Sequence, residues 1–518
     1  MRTGALAATA LLVATAVSAC NGDGTDASAS DPIARLAAQK IAWKACAAPT
    51  PLQGGRGRPA PMADGTRWEC GTMSVPLDWV NPDGKLIRLA LIRARAKDAD
   101  QRIGSLVFNF GGPGGSGVTT LPLAAKDQYK KLHERYDLVS FDPRGVGASA
   151  PVHCLGDKAR DLMSATTDGT PDNAEEMALA LAANAASVKA CRKNSGDVLP
   201  HVDTASAARD MDLLRQVLGD DKLHYFGTSY GTELGAVYAH LFPKNVGRAV
   251  LDAVMDPTQG PEERLQVKVK SFQVAFEHFM TACAKTDGDS CPTGPDPKRG
   301  TEKITDLLER LDSKPLPTKS GRELTQEHAR GAIGIAMFSK DFWAPLKKGL
   351  LEAQEHGTGN ILLALSDMGA GRSPQGHYSN MGDANTAVLC ADEKQRLPDA
   401  YAKSKVPEYR AVSPVFGESM AWSLSMCTGW PVEGKWEHPP VSAKGSAPIV
   451  LVGTTSDPAT PFEGTRHMAE ALGKDVAVTI TNKGDGHGGY GKGKCVTKAV
   501  DTYLLDGTLP KEGTVCER

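Results

Sequence analysis

The chain has 518 residues, 41% hydrophobic and 23% charged, with 59 Lys plus Arg against 61 Asp plus Glu for a net charge of −2. These values suit a globular protein and exclude an intrinsically disordered one, and near-neutrality with 6% aromatics argues against a nucleic-acid surface, which needs a basic patch. The 54 Gly and 33 Pro show no collagen-like period and read as turns, while eleven cysteines are more than a reducing compartment usually sustains.

The N-terminus reads as an export signal. Arg2 precedes an uncharged apolar run from Ala5 to Val17; at about 13 residues it is too short to span a bilayer but suits a signal-peptide core. It ends in Val17-Ser18-Ala19-Cys20, which resembles the bacterial lipobox, where the cysteine is lipidated and begins the mature chain. An ordinary signal cut nearby, with Cys20 incidental, is the alternative. Residues 1–19 are thus expected to be a signal peptide and 20–40 a lipidated flexible tether, since Asn21 to Asp31 is rich in Gly, Ser, Ala and Asp. The remaining cysteines stand at 46, 70, 154, 191, 283, 291, 390, 427, 495 and 516. An even number in an exported chain predicts disulfides; no CxxC and no Cys/His cluster at ligand spacing points to a metal. Ten cysteines allow on the order of a thousand connectivities, of which pairing chain neighbours is the simplest.

From residue 68 onward, short apolar strands alternate with helical stretches, the pattern of a mostly parallel sheet flanked by helices. Expected strands are Ile87–Arg93, Ser105–Phe110, Leu138–Phe141, Leu223–Phe226, Ala249–Leu251, Ile449–Val452 and Val476–Ile480. Their near-continuous Val, Leu, Ile and Phe content suits strands buried on both faces. Between 257 and 440 the rhythm gives way to a more polar helical segment. The expected organisation is therefore an α/β core in two parts, 41–256 and 441–518, with a helical cap at 257–440 over the strands' C-terminal ends, where open sheets bind ligands.

Gly227-Thr228-Ser229-Tyr230-Gly231 matches G-x-S-x-G, a pattern that chance alone yields roughly 0.3 times in such a chain. Context makes it specific: it follows an expected strand and opens an Ala/Leu/Tyr-rich helix to about Leu241, the strand–turn–helix of a nucleophile elbow. A serine hydroxyl needs a base to take its proton and a carboxylate to orient that base. Asp457 lies just past the strand Ile449–Val452, and His487 lies in the Gly-rich loop Gly484–Gly489 after Val476–Ile480. Ser229, Asp457 and His487 follow the chain order Ser…Asp…His of the α/β-hydrolases. Asp252 is a rival carboxylate, Asp485 reads as a loop-shaping or solvated residue, His467 as a surface residue, and Thr460 as a turn residue or a neighbour of Asp457. Oxyanion donors are expected from the backbone N–H of Tyr230 and, in the Asn109–Gly117 run after an early strand, of Gly112, with Gly111 second; Pro113 has no N–H.

Gly111-Gly112-Pro113-Gly114-Gly115, Asp142-Pro143-Arg144-Gly145-Val146-Gly147-Ala148-Ser149 and the Ser229 elbow together resemble the proline iminopeptidase and tripeptidyl aminopeptidase group of α/β-hydrolases. Cys427-x-x-Trp430, Asp457-Pro458-Ala459-Thr460-Pro461, Gly486-His487-Gly488, Cys495 and Asp506-Gly507-Thr508-Leu509-Pro510 resemble the C-terminal part of exported members. The likeness spans about residues 68–518 and implies Ser229, Asp457 and His487 as triad, with cleavage near a free peptide N-terminus. Phe110 stands where such proteins often have His before the Gly-Gly-Pro-Gly run. Such an enzyme must hold an ammonium group, for which Asp256, Glu233, Asp392 and Glu393 are candidate carboxylates. No cofactor or metal is expected, no nucleic-acid partner, and membrane contact only through the lipid; the number of subunits is open. A carboxylesterase or lipase on the same fold, or a non-catalytic binding lipoprotein, are the competing readings.

Overall fold

The computed structural model describes residues 31–55 and 57–517; the expected signal peptide and Cys20 lie outside them. The strands are β1 (Lys44–Ala45), β2 (Glu69–Pro76), β3 (Leu86–Ala94), β4 (Gly104–Asn109), β5 (Tyr136–Phe141), β6 (Leu223–Thr228), β7 (Val246–Asp252), β8 (Leu316–Pro317), β9 (Glu323–Leu324), β10 (Ile449–Ser456), β11 (Ala477–Asp485) and β12 (Thr514–Cys516). Ten of them form one sheet in the order β1-β2-β3-β5-β4-β6-β7-β10-β11-β12. The first three are joined antiparallel to their neighbours, and everything from β5 to β12 is parallel. This is the α/β-hydrolase arrangement expected above.

The parallel strands read as unbroken apolar runs because both faces are covered. Consecutive residues alternate between two cores: Val107, Val139, Tyr225 and Leu451 on one face, Phe108, Leu138, Phe226 and Val450 on the other. All seven expected strands are present, β11 running on to Asp485. β2 escaped the reading because only Met73, Val75 and Pro76 of Glu69–Pro76 are fully buried.

Between β7 and β10 the chain is helical apart from the β8–β9 hairpin. The helix Pro297–Ser313 shows why: Asp296 caps it, Pro297 opens it, and Ile304, Leu307, Leu308 and Leu311 form one buried stripe. That stripe joins Phe272, Phe276, Phe279 and Leu346 in an apolar core of its own, distinct from the two beside the sheet.

Chain-neighbour pairing holds throughout the cysteines: 46–70, 154–191, 283–291, 390–427 and 495–516 are disulfides. All ten are oxidised, the chemistry of an exported protein, and no helix among the described residues is long and apolar enough to cross a membrane. The Asp142–Ser149 motif is framework. Arg144, 1% exposed, makes a two-armed pair with buried Asp210 (2.7 and 2.6 Å) and spends its other donors on the carbonyls of Leu77, His201 and Pro76. Asp142 accepts from Ser116 Oγ (2.6 Å), Gln53 Nε2 and the N–H groups of Val118 and Ala148, which ties the loop after β4 to the loop after β5.

Candidate active site

β4 is flanked by β5 on one side and β6 on the other, so the chain leaves β4 one way and returns on the opposite side, the switch point at which such sheets open a crevice. Register keeps the strand ends level there: Asn109 pairs with Gly227, Thr228 with Asp252, and Asp252 with Val452. Ser229 follows directly at φ 59° and ψ −125°, a left-handed conformation a side chain adopts only under constraint. The constraint is packing of backbone on backbone. A Cβ on Gly227 would stand 2.3 Å from Gly231 O, and one on Gly231 2.6 Å from Asn109 O.

The Gly-rich loop after β4 leans on the same turn, for a Cβ on Gly111 would come within 2.8 Å of Ser229 Cβ and 3.0 Å of Tyr230 N. Gly111 N donates to Asn109 Oδ1 (2.9 Å), whereas Gly112 N has no acceptor among the described residues. Tyr230 opens the helix Tyr230–Leu241, so its N–H is one of the first-turn donors without an intrahelical acceptor, at the positive end of the helix dipole. The two expected oxyanion donors are thus the uncommitted ones.

His487 and Asp457 are brought together. His487 Nδ1 lies 2.9 Å from both Asp457 Oδ1 and Oδ2, and Asp457 is 2% exposed. A carboxylate only accepts, so Nδ1 carries the proton and Nε2 is left as the acceptor. Burial alone would raise the Asp457 carboxyl; the His487 imidazole and the N–H groups of Thr460 and Gly488 outweigh it and hold the group below its ordinary range. Thr460 Oγ1 is 3.4 Å from Nδ1, placing this residue beside the pair.

Asp252, the rival, has another occupation. Its carboxylate accepts from Gly489 N (2.9 Å) and Tyr490 N (2.9 Å), and its backbone oxygen accepts from Ser229 N (3.0 Å). One residue therefore joins the Ser229 turn to the His487 loop. From the helical segment, Phe338 O accepts from His487 N (2.8 Å) and its ring meets the imidazole edge-on at 5.2 Å. Asp485 pairs with His278 Nδ1 (2.5 Å) and Lys340 Nζ (2.6 Å) of that same segment. Neither Asp252 nor Phe338 carries a local signal for these roles, because both act through contacts with residues far away in sequence.

The candidate ammonium carboxylates fare differently. Asp392 is buried and accepts from Thr204 N and Oγ1, Thr204 Oγ1 also meeting Tyr230 OH at 2.6 Å. Asp256 is taken by His467 (2.5 Å), a partly exposed residue of the helix Glu463–Leu472, and by Thr258. Glu393 pairs with Arg264 (3.2 Å). Glu233, 7% exposed, accepts no hydrogen bond from the described residues, and burial pushes its carboxyl up. Among the described residues no cluster of His, Cys, Asp or Glu is arranged to hold a metal ion.

A family described as TAP-like protein matches residues 413–516. Serine protease Hip1 of Mycobacterium tuberculosis is 36% identical over 463 residues, covering 86% of this chain and 87% of the relative. Carboxylesterase B of the same species is 34% identical over 459 residues, covering 86% of each. Tripeptidyl aminopeptidase of Streptomyces lividans is 30% identical over 495 residues, covering 93% of this chain and 88% of the relative. With its sheet order, elbow and disulfides, the chain belongs to the tripeptidyl-aminopeptidase-like family of α/β-hydrolases.

Proposed function

We propose that this protein is an exported serine peptidase that releases short peptides from free N-termini, with Ser229, Asp457 and His487 as its triad. The carrying observation is the strained Ser229 turn clamped, through Asp252, to the loop of a histidine whose Nδ1 is already committed to Asp457. His487 Nε2 takes the Ser229 proton as Oγ attacks the scissile carbonyl. The oxyanion is held by Tyr230 N–H and Gly112 N–H, each worth about 10²–10³ in rate. His487 then gives the proton to the leaving amine, and the acyl-enzyme is hydrolysed by water activated at the same nitrogen.

Charge in the helical segment supports a free N-terminus. A 720 Å³ cavity there is lined by Glu262, Glu263, Glu393 and Glu437 against Lys394 and His438, an acidic excess that favours an ammonium-bearing end. The tether is read as a lipid anchor at Cys20, so Cys20→Ala is expected to move the protein from membrane to soluble fractions. An esterase is the second reading, favoured by the relative named carboxylesterase B. Turnover of a tripeptidyl anilide, its N-acetylated form and a short-chain ester decides between them. Preference for the free amine is expected; equal rates on the blocked peptide, or turnover of the ester alone, would remove the aminopeptidase.

A further inference from the structure

A second cavity, of 270 Å³, shares Glu393 and Gln395 with the acidic one and runs along the helix Pro261–Asp287 past Arg264 and Lys268 to Asn385. It ends at the proposed catalytic machinery: Asn385 Nδ2 donates to Pro113 O in the loop that carries Gly112 (3.0 Å). Its volume lies just below the ~300–1,000 Å³ typical of pockets for whole small ligands, so it holds a side chain or two. Leu265, Leu389, Leu424 and Met426 make much of its wall apolar.

The charged groups in this wall do not balance. Glu393 is the one carboxylate lining it, and Arg264 Nη2 already engages it. Arg264 Nε is buried and has no acceptor. Lys268, which also faces the cavity, makes neither a hydrogen bond nor an ion pair with any described residue. Burial and the neighbouring Arg264 charge hold its amine below the usual lysine range, against the opposing pull of Asp457. Lys268 is half-buried, and an ammonium without a protein partner, beside a second cation in a largely apolar wall, has an anion brought by the substrate as its natural counter-charge.

We infer that this cavity is the subsite for an acidic side chain in the acyl part of the peptide, with Lys268 Nζ donating to its carboxylate and the neighbouring Arg264 guanidinium adding positive charge to the wall. The inference rests on the acyl-enzyme reading above and adds a substrate preference to it. A carboxylate there forms a charge-assisted hydrogen bond with Lys268 that the matching amide cannot replace in kind.

The test uses the full mature protein and pairs of free-amine tripeptidyl anilides that differ only as Glu or Gln at each position in turn. At one position Glu is expected to exceed Gln about 10–100-fold in kcat/KM. Lys268→Met should bring that ratio close to one while thermal unfolding shows the variant folded, and Lys268→Arg should restore part of it. Brisk anilide turnover with Glu and Gln equal at every position, or a ratio unchanged in Lys268→Met, overturns the subsite alone. No anilide turnover by a wild-type protein that still reacts with a fluorophosphonate overturns the peptidase reading and the subsite with it.

Discussion

The two sides of the crevice treat charge in opposite ways. On the sheet side the buried ionisable groups around the site are committed, Glu233 of the elbow helix excepted: Asp457 to His487, Asp252 to the Gly489 and Tyr490 N–H groups, Asp142 to Ser116 and Gln53, Arg144 to Asp210. On the helical side Lys268 has no hydrogen-bonding partner among the described residues, and Arg264 Nε is buried without an acceptor. Buried polar groups in native proteins are normally satisfied. The committed groups hold geometry; in the proposal above, Lys268 is left for the substrate's carboxylate.

The contrast breaks first at Asp457. Asp457→Asn should lower kcat about 10⁴-fold with the fold intact, because the amide can present the wrong atom to Nδ1 and so favour the wrong tautomer. Steady-state kinetics beside circular dichroism check this; a loss under tenfold contradicts it. The pH dependence has a definite sign. The Asp457 carboxyl is held below its ordinary value of 3.8, so the stability it adds is present at neutral pH. It is lost as pH falls from about 4 through the lower folded value. Urea unfolding of wild type and Asp457→Asn at pH 7 and pH 3 should show the gap narrowing at the lower pH.

Arg144→Met is expected to cost about 3–5 kcal/mol in the same unfolding measurement, since it strands Asp210 as an uncompensated buried carboxylate. Asp252→Asn is milder, about 1–3 kcal/mol, because one carboxylate oxygen's worth of backbone N–H acceptance is replaced by a donor. It should also lower kcat more than it changes KM, as a positioning residue would. Smallest of all is Lys268→Met: removing an ammonium with no partner should leave stability within about 0.5 kcal/mol of wild type or raise it. A cost as large as that of Arg144→Met would show that Lys268 is committed after all and erase the contrast.

Much of the sheet side was legible in the sequence, for a physical reason. Strands buried on both faces must be apolar throughout, so β4 to β7, β10 and the start of β11 stand out, and the elbow announces itself through glycines that backbone contact enforces. Asp457 and His487 could be placed because each lies just past a strand end. β2 was hidden by its polar, Gly-containing run of only partly buried residues, and β12 by its three-residue length. The roles of Asp252, Phe338 and Lys268 were not legible at all. Asp252 reaches Gly489 across 237 positions, and no local pattern encodes a contact of that range. His467 is partly exposed on its helix, and its pairing with Asp256, 211 residues away, was equally illegible.

The most direct measurement is the site of covalent reaction. Intact mass and peptide mapping after fluorophosphonate treatment should place a single adduct on Ser229, absent in Ser229→Ala and strongly slowed in His487→Ala. An adduct on another residue, or undiminished reaction in Ser229→Ala, contradicts the account.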